Sequence, residues 1–314
     1  MKILFTIFFC VSFIYLQAST VDISKLQNEF EKKVLEVNAF KKRYGSYLFK
    51  NCEDDFNCYE KYINLLKSWD SVQNDNSLKM FLETNKKTNS FDKKCWETLQ
   101  NKLIEKKQKN NIKLSHTQFV NVIDLEKQLF ILTLWDNSRQ KFHYIGKDHI
   151  SSGNMEREAE IRFGENHYLK TPNGIFKSQI GWRSDGKYKD DNRTLGYGYK
   201  DRFVFYFGKL KSVRYNTFDK NGSKIIDKES WKLITDELEF ALHAHKSSAK
   251  LGKPYSHGCV RMSDELNRFL DNNHALHKSM FKDGMWRTNY TKIPKNPQNH
   301  NLSGEYLFIF DKIQ

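Results

Sequence analysis

The apolar positions along the chain follow two rhythms, and the change between them divides the chain into two halves. In the first half they recur at steps of three or four residues, which places them on one face of a helix. The clearest stripe consists of Ile23, Leu26, Phe30, Val34, Val37 and Phe40. Further helical stretches are predicted at 59–69, 78–82 and 95–103. We therefore predict a helical N-terminal domain over residues 21–104.

The second half has the texture of β structure. Residues 105–116 are mostly polar and basic and are predicted to be a linker. Beyond them, the apolar runs at 119–125 and 129–134 flank a polar Glu-Lys-Gln and predict a hairpin. Strands are also predicted at 203–207 and 306–310, a tight turn at 219–222, and helices at 228–242 and 264–271. The predicted fold class is α+β, with a β-rich domain over residues 117–314.

The N-terminus differs from both halves. Met1 and Lys2 precede an apolar run from Ile3 to Leu16, and small residues follow it. A positive start, a short apolar core and a small-residue end are typical of a secretory signal peptide, which we predict over residues 1–18. The run is short for a membrane span. An uncleaved anchor is the alternative, because Leu16 is bulky for its distance from a cleavage site after residue 18.

The charge balance bears on the partners of the protein. The chain has 52 Lys and Arg against 38 Asp and Glu, a net charge of +14. Such a surplus favours polyanions: nucleic acid, anionic lipid or a cell-wall polymer. A secreted protein seldom meets a genome, and the sequence has no zinc-finger spacing or RNA-binding signature. We therefore expect a wall polymer and no nucleic acid, with no integral membrane association after signal cleavage.

The five cysteines fall into three groups. Cys10 lies inside the predicted signal. Cys52, Cys58 and Cys95 lie in the helical half, where an oxidising compartment favours one disulfide, worth about 2–4 kcal/mol, with the pairing left open. Zinc binding by these three is less favoured, because no fourth ligand has suitable spacing. Cys259 stands apart from them, among histidines.

The cluster around Cys259 carries the candidate chemistry. His243, His245, His257 and Cys259 fall within 17 positions. A thiol that attacks an amide carbonyl needs a base to form the thiolate and backbone N–H donors to hold the oxyanion. Cys259 is the natural nucleophile, with His243 as its base. Gly258 allows a sharp turn that brings the N–H groups of residues 258 and 259 toward the reacting carbonyl.

The run Ser256-His257-Gly258-Cys259-Val260-Arg261-Met262 resembles the signature of the L,D-transpeptidase (YkuD) family. Twelve residues separate His243 from Ser256, as in that family, whereas His245 would leave only ten. The resemblance covers about residues 117 to 312. It includes the hairpin at 122–130, Ser151-Ser152-Gly153, and Thr171-Pro172-Asn173-Gly174, which is similar to the family's Thr-Pro-x-Gly turn.

The resemblance implies a sandwich-like catalytic domain in the periplasm or cell envelope that acts on peptidoglycan stem peptides. Cys259 would attack the carbonyl of the third residue of a tetrapeptide stem, form a thioester and release the terminal D-alanine. The acyl group would then pass to a neighbouring stem, an envelope lipoprotein or a D-amino acid. With water as the acceptor, the enzyme would be an L,D-carboxypeptidase.

The resemblance also implies roles for neighbouring residues. The backbone carbonyl of Ala244 would orient the base, although Ala244-His245 replaces the family's commoner Gly-Thr. Ser256 and His257 would shape the site, and Arg261 would brace the loop or meet substrate carboxylates. Substrate contacts are expected from Arg261, His245 and Tyr255.

Other interpretations of the same residues stay open. Cys259 is an inert thiol in one of them, and a zinc ligand with the three histidines in another, because His-x-His on a strand is a good metal pair. We predict neither a metal nor a cofactor. A wall-binding protein with an idle catalytic fold is the alternative from another class. Residues 182–231 exceed a minimal domain and are predicted to form a lid or side wall. The helical domain is expected to bind a partner, position substrate or inhibit.

Overall fold

The computed structural model describes residues 21–35, 93–156, 168–187, 196–245, 251–282, 285–286 and 300–313. The predicted signal peptide, the helices predicted at 59–69 and 78–82, and Cys52 and Cys58 lie outside the described residues. Within the described ranges, no helix is long and apolar enough to cross a membrane.

Nine strands of the described chain join in one curled sheet, and two more form a separate hairpin. Their bounds are β1 Gln118–Asp124, β2 Leu129–Asp136, β3 Lys141–Ser151, β4 Gly174–Lys177, β5 Ile180–Arg183, β6 Phe203–Asn216, β7 Lys232–Ala244, β8 Val260–Met262, β9 Phe281–Lys282, β10 Met285–Trp286 and β11 Tyr306–Phe310. The order across the large sheet is β4-β11-β1-β2-β3-β8-β7-β6-β5. The predicted sandwich is therefore confirmed only as a β-rich domain, because nine of the described strands share a single hydrogen-bonded order.

In the described part of the chain, three α-helices pack on this sheet. They are α1 Ile23–Phe30, which continues as a π-helical turn Glu31–Leu35, then α2 Lys93–Lys109, and α3 Asp264–Asn272. Short 3-10 turns lie at Lys228–Ser230, Lys278–Met280 and His300–Leu302. α3 follows β8 after a single residue, Ser263, whose hydroxyl accepts from the Leu266 N–H and donates to Asp148 on β3. The helix is thereby capped and tied to the sheet at once.

The first helix belongs to the main core of the sheet domain. Leu26, Phe30 and Val34 are buried in the same cluster as the inward residues of the sheet and α3. The Phe30 ring lies edge-on to Phe269 of α3, with ring centroids 5.1 Å apart. It also lies against the backbone of Gly146, where an added Cβ would come within 2.1 Å of the ring. The predicted apolar stripe is confirmed as far as Val34, and it packs on the sheet domain.

The second helix covers the opposite face of β1, β2 and β11. Leu99 and Leu103 are buried against a cluster that includes Val122, Trp135 and Phe308. The helix runs to Lys109 and so enters the predicted linker, which is wrong for residues 105–109. Lysines in the last turn favour this extension, because they lie at the negative end of the helix dipole. The division between the two predicted domains stays a prediction, since residues 36–92 lie outside the described residues.

Most predicted β elements are confirmed, and one prediction is wrong. The hairpin at 119–134, the strands at 203–207 and 306–310, and the helix at 264–271 all appear. The Asp219 carboxylate accepts from the backbone N–H of Asn221 in the predicted turn at 219–222 and from that of Ser223 just after it. The segment predicted as a helix at 228–242 is instead the strand β7. Its many Leu and Glu residues favour a helix locally, but eleven register pairs with β6 satisfy its backbone as a strand.

Candidate active site

The predicted nucleophile and base lie on one face of the sheet. Leu242 on β7 and Val260 and Met262 on β8 point into the core with α1 and α3. Side chains alternate between faces along a strand. His243, Cys259 and Arg261 therefore point to the opposite face.

The parallel register of β7 and β8 brings these residues together. His243 lies directly opposite Arg261, and Arg261 lies opposite Ser151 of β3 on its other side. Cys259 immediately precedes β8, which makes it the diagonal neighbour of His243 on the same face. Adjacent strands lie about 4.8 Å apart and two residues span about 6.6 Å along a strand, so the Cα atoms of such neighbours are roughly 8 Å apart. The sheet thus joins two residues that are sixteen positions apart in the sequence.

A single hydrogen bond defines the state of the His243 ring. The ring is buried, and its Nδ1 lies 2.8 Å from the carbonyl oxygen of Ala244. A carbonyl only accepts, so Nδ1 carries the proton and Nε2 is the basic nitrogen. The role expected for the Ala244 carbonyl matches this contact.

The Cys259 thiol is partly exposed and lies 3.3 Å from the backbone carbonyl of Glu239 on β7. Tyr206 of β6 pairs with Ala241 and so lies on the same face as the thiol. Burial raises the pKa of Tyr206, and the nearby Glu239 carboxylate and Cys259 thiol raise it further. The Cys259 thiol, the predicted nucleophile, therefore lies beside a phenol that stays neutral and a strand carbonyl.

The turn before Cys259 is held by its own serine. The Ser256 hydroxyl accepts from the Gly258 N–H at 3.1 Å and donates to the Cys259 carbonyl. Gly258 has φ +139°, and an added Cβ would lie 2.7 Å from the Leu238 side chain. Only glycine fits such a position without displacement. Because the Gly258 N–H bonds within the turn, the Cys259 N–H is the better candidate of the two predicted oxyanion donors.

Thr171 supports this turn from below, a role that the sequence did not indicate. Its buried hydroxyl accepts from the Gly153 N–H at 2.8 Å and donates to the Gly258 carbonyl at 2.6 Å. Gly153 approaches so closely that an added Cβ would lie 2.9 Å from the Gly258 Cα. The Thr-Pro-x-Gly likeness was the available signal, because it singles out Thr171 without saying what the hydroxyl binds.

The other predicted site residues surround the turn in different ways. The His257 ring stacks on Tyr168, with centroids 4.2 Å apart and planes 16° apart. Tyr255 and Ser256 both donate backbone N–H bonds to the Ser152 carbonyl at 2.9 Å. The backbone N–H of His245 donates to Met262. Substrate contacts of Arg261, His245 and Tyr255 stay predictions.

An aromatic wall lies beside the base. Tyr197 lies edge-on to the His243 ring, with centroids 5.2 Å apart, and edge-on to Trp182 at 5.6 Å. Trp182 in turn contacts Tyr206 at 5.7 Å. Within the described part of 182–231, this wall is the portion beside the site. Much of the rest of the described part is strand β6 and the tip of its hairpin with β7, which extend the sheet. Residues 188–195 lie outside the described residues, so the lid stays a prediction.

In the described ranges, no group of three or more His, Cys, Asp or Glu side chains is arranged to hold a metal ion. Cys95 and Cys259 are both in the reduced thiol form there. Cys52 and Cys58 lie outside the described residues, so the predicted disulfide and its pairing stay a prediction.

Comparison with known proteins agrees with this geometry. Residues 119–273, about half of the chain, match the family model described as the L,D-transpeptidase catalytic domain, YkuD. This segment belongs to the YkuD family. The matched segment includes the turn at 256–259, the strand β7 and Thr171. Members of this family are acyltransferases that act on peptidoglycan peptides.

Solved L,D-transpeptidases are more distant. One from Xylanimonas cellulosilytica is 18% identical, with 63% of each chain covered and a TM-score of 0.26. Another from Mycobacterium smegmatis is 13% identical, with 62% of this chain and 59% of that chain covered and a TM-score of 0.26. L,D-transpeptidase 3 from Mycobacterium tuberculosis is 14% identical, covers 62% and 61%, and has a TM-score of 0.21. The chain thus spans about three fifths of these relatives. No curated protein matches it significantly.

Proposed function

We propose that this protein is a cell-envelope L,D-transpeptidase that acts on tetrapeptide stems through a Cys259 thioester. The observation that carries the proposal is the bond from His243 Nδ1 to the Ala244 carbonyl at 2.8 Å. It leaves a basic Nε2 on the face where Cys259 sits as the diagonal neighbour. A buried histidine with a purely structural role would not need this tautomer beside a partly exposed thiol.

The first half-reaction uses these groups in order. His243 Nε2 takes the proton from the Cys259 thiol, and the thiolate attacks the carbonyl carbon of the third stem residue. The Cys259 N–H stabilises the resulting oxyanion. The C–N bond to the terminal D-alanine then breaks, the imidazolium returns its proton to the leaving amine, and a thioester remains.

The second half-reaction transfers the acyl group. An amine of a neighbouring stem loses a proton to Nε2 and attacks the thioester, and the thiolate leaves and is reprotonated. An envelope lipoprotein or a D-amino acid would supply the same kind of amine. Water would give L,D-carboxypeptidase activity instead. The net charge of +14 supports work near the anionic polymers of the envelope, which the predicted signal peptide would make accessible.

The test is covalent capture of Cys259. We expect intact-protein mass spectrometry to show a thioester with a tetrapeptide-bearing muropeptide and an adduct with a carbapenem. Cys259→Ala should form neither. Cys95→Ala is the matched control, because it removes a free thiol elsewhere and should leave both reactions intact. Full conversion of muropeptide by Cys259→Ala, or no adduct with the native protein, would overturn the proposal.

The identity of the acceptor is read from products. Incubation with purified sacculi and analysis of the muropeptides should give 3–3 cross-linked dimers from a stem acceptor, exchanged stems from a D-amino acid, and tripeptides from water. Cross-linked or exchanged products support transpeptidation. Tripeptides as the sole product would replace it with the carboxypeptidase alternative.

A further inference from the structure

We propose that Tyr197 and Gly198 are positioning residues that hold the His243 imidazole and its carbonyl partner in the reactive orientation. This inference rests on the proposed function, because it assigns the wall beside His243 to the base of that reaction. Neither residue lies in the sequence motif around Cys259, and they precede His243 by more than forty positions.

Gly198 packs against the group that fixes the base. It has φ +84°, and an added Cβ would lie 2.9 Å from both the carbonyl oxygen and the Cβ of Ala244. That carbonyl accepts the bond from His243 Nδ1. A side chain at residue 198 would push the carbonyl away from the ring or push the loop away from the strand. Glycine at residue 198 therefore leaves the Ala244 carbonyl in place, and this carbonyl keeps the proton of His243 on Nδ1.

Tyr197 packs against the ring itself. Its plane is at 85° to the His243 ring and at 88° to Trp182, so it is wedged between the two. Edge-to-face pairs of this kind are worth about 0.5–1.5 kcal/mol beyond their burial. Without Tyr197, the imidazole would lose this edge-to-face contact. The Ala244 carbonyl fixes the position of the imidazole through the Nδ1 hydrogen bond, and Tyr197 restricts rotation of the imidazole.

Tyr197 and Gly198 are held by hydrogen bonds between Ser184 and residues 201–202, a pair of segments that we call the neck of the loop. The Ser184 N–H donates to the Arg202 carbonyl, and the Asp201 N–H donates to the Ser184 carbonyl, both at 2.8 Å. The Ser184 hydroxyl also donates to the Gly198 carbonyl at 3.3 Å. These bonds close the loop below the wall.

Two ion pairs tie that neck to α3. Arg183 makes a two-pronged contact with Asp271, and Arg202 makes one with Asp264. All four side chains are largely buried. A bidentate arginine–carboxylate pair fixes the relative position of the two segments that carry it. α3 therefore holds the wall against the base without touching any reacting atom.

The experiment measures how well the base serves the thiol. We would determine the rate of Cys259 alkylation by iodoacetamide between pH 6 and pH 10 in Cys95→Ala protein. Gly198→Ala should lower the rate at neutral pH by about tenfold or more, because a displaced base no longer helps form the thiolate. At alkaline pH, where the thiol ionises without a base, the rate should equal that of the parent.

The chain offers a matched control for the glycine. Gly222 also has a positive φ, +77°, but an added Cβ there would meet nothing within 4 Å. Gly222→Ala carries the same backbone cost and should leave the neutral rate unchanged. A neutral rate in Gly198→Ala that equals that in Gly222→Ala would overturn the proposal.

Tyr197 is tested by rescue. Tyr197→Ala should lower the neutral rate several-fold, whereas Tyr197→Phe keeps the ring and should restore it. Equal rates in the alanine variant and the parent would contradict the assignment of Tyr197.

His243→Ala separates failure of this proposal from failure of the proposed function. If His243→Ala leaves the neutral alkylation rate unchanged, the imidazole does not act on the thiol and the proposal falls. Muropeptide conversion is measured separately on the same proteins. Lost neutral alkylation in Gly198→Ala without any conversion by the parent would support the positioning role and count against the function alone.

Discussion

The two halves of the sheet are built to different rules. The scaffold half, formed by β11, β1 and β2, is covered by α2 on one face and contributes to the main apolar core on the other, and all but one of its residues are buried. The site half, formed by β8, β7, β6 and β5, contributes to the main core on one face and carries His243, the turn before Cys259 and the aromatic wall on the other. Along β7 the buried residues are concentrated at the end near Cys259, and Leu233 at the other end is 57% exposed.

The difference shows how the face of the sheet that carries His243 and Cys259 is kept rigid. The scaffold half is stabilised by many apolar contacts in a close-packed core, so a small shift of one side chain changes only a few of them. The site half relies on a few close backbone approaches at Gly153, Gly198 and Gly258, each with a specific partner. Stability should therefore respond most to the scaffold half and reactivity most to the site half.

The largest stability effect is expected at Phe30. Its ring is fully buried between Phe269 and the Gly146 backbone. Phe30→Ala should lower the free energy of unfolding by about 3–5 kcal/mol through lost transfer energy and a cavity. Chemical denaturation with the tryptophan fluorescence of the sheet domain as probe would measure it. Alkylation of Cys259 in the folded fraction should be unchanged.

Phe281 provides the control for Phe30. Phe281 is 37% exposed, so Phe281→Ala should cost much less. If Phe30→Ala left the unfolding of the sheet domain unchanged, residues 21–35 would belong to an independent domain, as the sequence first suggested.

A pair of threonines separates stability from reactivity. Thr171 links Gly153 to Gly258 in the site half, and Thr133 donates to the Val120 carbonyl at 2.8 Å in the scaffold half. Valine at either position removes a buried hydroxyl and should cost about 1–3 kcal/mol of unfolding free energy. Only Thr171→Val should also slow carbapenem acylation, because the nucleophile turn loses its support. Equal acylation by both variants would show that the turn holds itself.

The smallest effect concerns acid stability of the site half. Burial acts to raise the pKa of Asp271, but His277 and Arg183 outweigh it, and the pKa lies below its ordinary value of 3.8. A lowered folded-state pKa contributes stability that is complete above the unfolded value and is lost as the pH falls through the folded one. Unfolding free energy should therefore fall with pH below about 3.8, and less steeply in Asp271→Asn. Equal slopes in urea titrations would contradict this assignment.

Local pattern predicted the scaffold half well. The runs of β1 and β2 are mostly apolar, with Asn121 and Thr133 as the polar positions inside them, and a short polar turn separates them, so the pattern predicts a buried hairpin. The helix α3 was also predictable, because Ser263 caps it and its apolar residues repeat at helical spacing.

The site half was harder to predict because its partners are distant in sequence. β7 contains helix-forming residues, and only pairing with β6 makes it a strand. The stripe on α1 was visible, but its burial against α3 and β3 was not. Cys259 and His243 were singled out by their spacing and residue types. The support by Thr171 and the wall at Tyr197 depend on contacts that no spacing encodes.

The sequence by itself determined the chemical inventory: a thiol after a glycine, a histidine at the family spacing, and apolar runs sufficient for a sheet. The tertiary structure decided which nitrogen of His243 is basic, which backbone N–H donates to the Ser256 hydroxyl, and which residues pack against the His243 imidazole. These outcomes depend on close contacts between segments far apart in the chain. Such contacts exist only after the sheet has closed, because register and burial set them rather than local propensity.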